Sequence, residues 1–270
     1  MGETQEPKAA EARIISYKDG SIGWMIYENR KKYNAVTYDM RRAIPKILAD
    51  FESDKEIRVV LITGSGNKAF ISGSDISQFG EKRSSKKMRK LYDDASDQAN
   101  RAMQSFSKPM IAMIHGHCLG AGLLTAMLCD FRVASEEATF GVPPAKLGLG
   151  FNYSGVNDLV RLVGPAYASE LLFTGKHYKS EFALRIGLIN DVVPFNKLKS
   201  KVSELANMIS ANAPLTLKSL KTSIRNTQLD ESARDMDAVE REIDACFASL
   251  DYQEGQRAFL EKRKPIFKGL

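Results

Sequence analysis

The sequence predicts an α/β fold, and three observations carry that prediction. Short apolar runs alternate with longer stretches of helical periodicity. Two of the runs, Val59-Val-Leu-Ile-Thr63 and Met110-Ile-Ala-Met-Ile114, read as strands. Each is followed by a glycine-punctuated segment that opens a helix: Phe70-Ile-Ser-Gly-Ser-Asp75 and His115-Gly-His-Cys-Leu-Gly-Ala-Gly-Leu-Leu124. Such alternation excludes an all-α or all-β chain, and by pattern alone it is compatible with a doubly wound sheet.

The elements follow in order. Ile14-Ile-Ser-Tyr17 and Ile22-Gly-Trp-Met-Ile-Tyr27 flank Lys18-Asp-Gly-Ser21, and Asp-Gly is a hairpin signal. Thr37 is placed to cap a helix whose apolar positions are Met40, Ile44, Ile47, Leu48 and Phe51. Pro45 either kinks that helix or marks where regular helix begins. A strand over 58–63, a glycine-rich loop and a helix over 84–106 come next. The strand 110–114, a helix from about 121 and a strand over 131–134 follow. From about 195 the chain reads as helical throughout. Leu198, Val202, Leu205 and Ile209 form one apolar stripe, and Met236, Val239, Ile243 and Phe247 another, each suited to core or subunit interface. No internal repeat is visible.

A chain of 270 residues with 43% apolar side chains can bury a sizeable core. No apolar run is long enough for a transmembrane helix. Residues 1–12 are polar and contain three glutamates, unlike a secretory or mitochondrial leader, and read as a disordered extension. Cys118, Cys129 and Cys246 lack metal-ligand spacing and read as reduced thiols, which together with the missing leader predicts a cytoplasmic protein. The net charge of +6 is distributed in short clusters, Arg30-Lys31-Lys32, Lys82-Arg83 with Lys86-Lys87, and Lys262-Arg263-Lys264. These lack the long basic stripe of a nucleic-acid binder.

Helix starts expose unpaired N–H groups and the positive end of the peptide dipole. Two of them facing each other can grip an oxygen that becomes negative during a reaction, which is an oxyanion hole built from main chain. For Gly120-Ala-Gly122, close helix–strand packing is the alternative to ligand approach. A dinucleotide fingerprint is a poor alternative, because the glycine spacing is incomplete and no suitable acid closes a following strand. Ser74 lacks the strained Gly-x-Ser-x-Gly elbow of a serine hydrolase. Asp75 and Asp130 read as braces of their turns.

With these segments on the page, the chain resembles the enoyl-CoA hydratase/isomerase (crotonase) superfamily over about 14–267. The likeness rests on Asn29-Arg-Lys-Lys-Tyr-Asn-Ala35, Ile71-Ser-Gly-Ser-Asp-Ile76, the segment 115–130, Phe140-Gly-Val-Pro143, Leu171-Leu-Phe-Thr-Gly175, the segment 183–193 and Phe259-Leu-Glu-Lys-Arg-Lys-Pro-Ile-Phe267, in this order and spacing. The resemblance implies a spiral of ββα units over 13–199 and a helical assembly region over 200–270 that joins trimers or hexamers. It implies an acyl-CoA substrate, with coenzyme A part of the thioester and no separate cofactor or metal. The thioester oxygen would lie between the N–H groups of Ser74 and Ala121. Lys31, Lys32, Ser72, Ser74, Asp75, Ile76, Gly120 and, from a neighbouring subunit, Lys262 would surround coenzyme A.

The departures from the family pattern carry equal weight. The two glutamates of the family's hydratases fall at Leu124 and Pro144, and neither replacement transfers a proton. An aspartate used by some relatives falls at Asn152, which is no base near neutral pH. The substitutes within reach of the pattern are His115, His117 and Tyr153, with packed, hydrogen-bonded histidines the alternative reading. Glu81, Tyr92 and Asp93 fall in the segment that covers the acyl pocket in relatives. The sequence therefore argues against ordinary hydration and toward decarboxylation, hydrolysis, C–C cleavage or isomerisation, with a catalytically silent acyl-CoA-binding or scaffold subunit as the alternative.

Overall fold

The computed structural model describes residues 11–78 and 86–270. Most of the tail expected over 1–12 therefore lies outside the described residues, as do Glu81 and the Lys82-Arg83 pair. The chain opens with the expected hairpin: β1 (Arg13–Asp19) pairs antiparallel with β2 (Ile22–Glu28). Asp19 faces Ile22 across a two-residue turn in which Gly20 takes φ 57°. Thr37 caps α1 (Tyr38–Ser53), accepting from the Met40 N–H at 3.2 Å. The helix is continuous through Pro45, which removes one N–H from the ladder without ending it, while Met40, Ile44, Leu48 and Phe51 face the core.

The body of the fold is a repeated ββα turn. β3 (Val59–Gly64), β4 (Ala69–Ile71) and α2 (Lys86–Ser105) make the first turn. β5 (Met110–Ile114), β6 (His117–Leu119) and α3 (Ala121–Met127) make the second, and β7 (Phe131–Ser135), β8 (Thr139–Gly141) and α4 (Tyr153–Thr174) the third. The first strand of each turn joins a six-stranded sheet of order β1-β2-β3-β5-β7-β10, where β10 is Asp191–Val193. The second joins a four-stranded sheet of order β4-β6-β8-β9, where β9 is Tyr178–Lys179. Neighbouring turns pair in parallel in both sheets. The expected spiral is thus the observed one, and a doubly wound single sheet is not. α4 breaks at Gly164, where φ 78° precedes Pro165, so it is two helical pieces. The short α5 (Ser180–Arg185) links β9 to β10.

Parallel strands buried on both faces need an apolar residue at every position. β3 shows this: Val60 and Ile62 point into the core shared with α1 and α3, while Val59 and Leu61 pack under α6 (Phe195–Ser210). Leu198, Val202, Ala206 and Ile209 of α6 complete that second layer, so the first C-terminal stripe is core. The division expected at 199/200 falls inside this helix. The remaining helices are α7 (Pro214–Thr227), α8 (Met236–Phe247) and α9 (Leu250–Leu260). In the second stripe Val239 is buried, whereas Met236, Ile243 and Phe247 are exposed. α7 is tied down by Lys221, whose buried ammonium donates to Asp130 Oδ2 at 2.6 Å and to the Lys108 carbonyl. The same Asp130 oxygen accepts from the Met110 N–H, which makes Asp130 the brace its position suggested. Among the described residues no helix is long and apolar enough to cross a membrane.

Candidate active site

The site is built where the first and second spiral turns meet. Gly73 (φ 136°) and Gly120 (φ 52°) hold backbone conformations that a side chain resists. They face each other closely: a methyl built on Gly120 would stand 3.8 Å from Gly73 Cα. The residue after each glycine is the one that matters. Val36 makes a parallel bridge opposite Ser74, donating to the Gly73 carbonyl at 2.8 Å and accepting from the Asp75 N–H at 2.9 Å. In a parallel bridge the residue opposite turns its own N–H away from the partner, so the Ser74 N–H points to the other side. Ala121 is the first residue of α3, where the N–H has no intrahelical acceptor. Ala121 is absent from the residues with positive φ, so its methyl carries no strain. Gly122 has a different task, because a Cβ there would lie 2.1 Å from the Ile71 carbonyl oxygen. In the Gly-Ala-Gly segment Gly122 bears out the packing reading, letting α3 lie against β4, while Gly120 turns the chain into the helix.

Asp75 braces the Ser74 side. Its buried carboxylate accepts from Lys32 Nζ at 2.9 and 3.1 Å and from the Ser77 N–H at 3.1 Å and hydroxyl at 2.7 Å. Burial pushes its pKa up, but Lys32 and Ser77 together outweigh burial and hold the carboxyl below its ordinary value. Lys32 is thereby held on the loop, and both it and the neighbouring Lys31 are exposed. Ser72 donates to the Lys32 carbonyl, and Ile76 is exposed at the start of a 3₁₀ turn over Ile76–Gln78. A carboxyl held below its unfolded value of about 3.9 contributes stability that is complete above that pH and is lost as pH falls through the folded-state value. Asp75→Asn is expected to lower Tm at neutral pH and to flatten the acid limb of a Tm–pH profile. An unchanged acid limb would place the titrating carboxylate elsewhere.

The proposed proton carriers scatter. His115 is buried with its ring edge-on to Phe195 of α6 at 5.8 Å, and burial holds its pKa below the ordinary value. His117 Nδ1 lies 3.0 Å from Thr139 Oγ1, with its ring edge-on to Tyr33. Asn152 caps α4, its Oδ1 accepting from the Gly155 N–H at 3.0 Å, which is a structural use of the position. Tyr153 is 83% exposed. Pro144 begins a 3₁₀ turn over Pro144–Leu147, where a missing N–H costs nothing.

Four residues that sequence reasoning did not single out belong to this region: Asp97, Arg101, Asp158 and Arg41. Leu124, one helical turn beyond Ala121, lines a cleft of about 180 Å³ that also holds Asp97, Arg101, Asn152 and Asp158. Burial pushes the Asp158 carboxyl up, with Arg161 partly opposing. Arg41 of α1 donates from Nη2 to Ser74 Oγ at 2.8 Å and from Nε to Tyr92 Oη at 3.3 Å, and lies 5.3 Å over the Tyr92 ring. Tyr92, read as pocket cover, is 2% exposed and provides this seat. The charge pair Arg41-Arg42 reads locally as a solvated helix face, so the sequence held no signal for Arg41.

Comparison with known proteins adds the following. The family model described as enoyl-CoA hydratase/isomerase matches residues 18–270. The chain is 35% identical over 255 residues to the short-chain-enoyl-CoA hydratase of Clostridium acetobutylicum, covering 93% of this chain and 95% of that protein. It is 33% identical over 245 residues to a carnitinyl-CoA dehydratase of Salmonella paratyphi A, covering 89% and 93%. Among solved structures, an enoyl-CoA hydratase/carnithine racemase from Magnetospirillum magneticum superposes with a TM-score of 0.89 at 32% identity, covering 95% of this chain and 96% of that one.

Proposed function

The chain belongs to the enoyl-CoA hydratase/isomerase family, and from that premise we propose an acyl-CoA enzyme that holds the thioester oxygen between the N–H groups of Ser74 and Ala121. The observation that carries this reading is the close approach of Gly73 and Gly120, which sets the two following N–H groups on adjoining segments. A thioester oxygen gains charge when its α-carbon becomes carbanionic, and preorganised donors favour that enolate over the neutral ground state. The positive end of α3 acts in the same direction.

The reaction we favour is decarboxylation. The bond from Cα to a carboxylate breaks, its electron pair becomes the enolate, carbon dioxide leaves, and Cα takes a proton from water. This route depends most on the hole and least on a pair of carboxylates, which suits Leu124 and Pro144 at the family's glutamate positions. Hydrolysis, C–C cleavage and isomerisation are the other outcomes of the same test. A panel of enoyl-, malonyl-type, β-keto and saturated acyl-CoA esters is incubated with the protein and products are read by mass spectrometry. Absence of turnover with every thioester, alongside binding, would make the chain a silent acyl-CoA-binding or scaffold subunit.

Coenzyme A needs cations for its phosphates. In the cluster Lys262-Arg263-Lys264, Arg263 is engaged by Glu254 at 2.6 Å and Glu261 at 2.5 Å. Lys262 is exposed, takes φ 53°, and has no ion pair among the described residues. Lys262→Ala is expected to weaken coenzyme A binding severalfold, with a difference that shrinks at high salt. Equal affinities by calorimetry would remove Lys262 from the site.

That lysine would reach a neighbouring subunit. Ile224, Met236, Phe247, Leu250, Phe259 and Leu260 are all exposed on α7–α9. Uncovered apolar surface of this extent marks an interface, and the family resemblance supports a trimer or a dimer of trimers, both of closed symmetry. Light scattering at micromolar concentration is expected to show one of these, and a monomer would overturn it.

A further inference from the structure

We propose that Arg41 recognises a carboxylate on the acyl group, so that the substrates of this site are acidic acyl-CoA esters rather than plain alkyl or enoyl ones. The inference rests on the reading of Ser74 and Ala121 as the thioester hole and goes beyond it in naming the acyl chemistry.

Three observations converge on Arg41. It is a partly buried cation, and none of the ion pairs among the described residues includes it. A guanidinium withdrawn from water without a carboxylate is unfavourable unless something else meets it. Among the described residues what meets it is neutral: the Ser74 hydroxyl at 2.8 Å, the Tyr92 hydroxyl at 3.3 Å and the face of the Tyr92 ring. These contacts fix the group without neutralising it, and Tyr92 is itself buried and stacked on Tyr38.

The second point is location. The side chain that Arg41 holds belongs to the residue whose N–H would bind the thioester oxygen. An anion touching Arg41 therefore lies within the span of a short acyl group from that oxygen. The phosphates of coenzyme A are the other anions a substrate brings, but they stand a whole pantetheine arm away from the thioester. The third point is geometry. Guanidinium presents parallel donors that match a carboxylate in two-point contact, and Arg41 is anchored through Nε and Nη2, leaving Nη1 and the second Nη2 proton to offer.

Bracing of the Ser74 loop is the competing role, and it makes a different prediction. Dissociation constants are measured on the intact assembly for malonyl-CoA and succinyl-CoA, for butyryl-CoA and for free coenzyme A. In the parent, at least one acidic thioester is expected to bind more tightly than butyryl-CoA. Arg41→Gln is expected to weaken that thioester about 30-fold, the loss of one charge-assisted hydrogen bond, while changing butyryl-CoA and coenzyme A less than about threefold. Arg41→Lys, which keeps the charge, is expected to recover part of the preference. Thermal unfolding of both variants confirms that the fold is retained.

Equal losses for all thioesters would show a brace and overturn the proposal. A matching loss for free coenzyme A would assign Arg41 to a phosphate and overturn it as well. A parent that binds butyryl-CoA without any preference for acidic thioesters would end the inference and leave the thioester reading intact. Failure to bind any thioester or coenzyme A would end both.

Discussion

The purified protein is expected to hydrate crotonyl-CoA at least ~10³-fold more slowly than a hydratase with two glutamates, since each positioned acid or base contributes about 10²–10⁴-fold. Water must give up a proton as it attacks, and the α-carbon must receive one. Leu124 and Pro144 can do neither, and three of the substitutes the sequence offered stand in other settings. Asn152 caps α4, His115 lies against Phe195, and Tyr153 points into solvent. The assay is loss of absorbance of the conjugated thioester. Leu124→Glu with Pro144→Glu is expected to bring hydration to a measurable level, because the 3₁₀ turn at Pro144 and the face of α3 carrying Leu124 remain in place. Turnover by the parent near that of an ordinary hydratase would sink the idea. Asp158, whose carboxyl is raised by burial beside Leu124 in the cleft, would then be the first residue to change.

Ala121→Pro is expected to cut turnover of the best acyl-CoA substrate by about 10²–10³-fold, the usual consequence of losing one oxyanion donor. This substitution deletes a single N–H. Ala121 is the first residue of α3, where proline is favoured and its missing donor breaks no helical bond. Gly120 before it has the freedom to precede a proline, and its own N–H bond to the Gly141 carbonyl at 2.8 Å is untouched. The fold should therefore persist, as judged by Tm, while the hole loses half of its donors. Unchanged turnover would move the oxyanion site away from Ala121. By contrast, Gly122→Val would damage the packing of α3 on β4 and reveal nothing about catalysis.

Much of the fold was legible because its determinants are local. Asp-Gly made the first hairpin, Thr37 marked the start of α1, and the apolar runs of β3 and β5 announced strands. The ββα repeat was not legible from local pattern and was expected only through the family resemblance. β4, β6 and β8 are three residues each, too short to display a period, and the turns share geometry without sharing sequence. The site divided in the same way. The turns at Gly73 and Gly120 were legible because backbone conformation leaves a mark in glycine spacing, and the proposal of Ser74 and Ala121 as donors came with the family resemblance. Arg41 was missed because its partner is 33 positions away in the chain, and the capping role of Asn152 was not foreseen because a helix cap and a polar cleft residue look alike in sequence.

The two C-terminal stripes show the boundary most clearly. The sequence by itself determined that α6 and α8 each carry an apolar face, since helical periodicity is a local property of the chain. It also determined which residues could not serve as acids, since side-chain chemistry needs no context. Only the tertiary structure decided that the face of α6 is closed against the six-stranded sheet while that of α8 is left largely open, and that a serine, a tyrosine and an arginine from three separate elements meet beside the glycine turns. The reason is physical: periodicity specifies that a surface must be covered, and what covers it depends on chain segments brought together from far apart in the sequence.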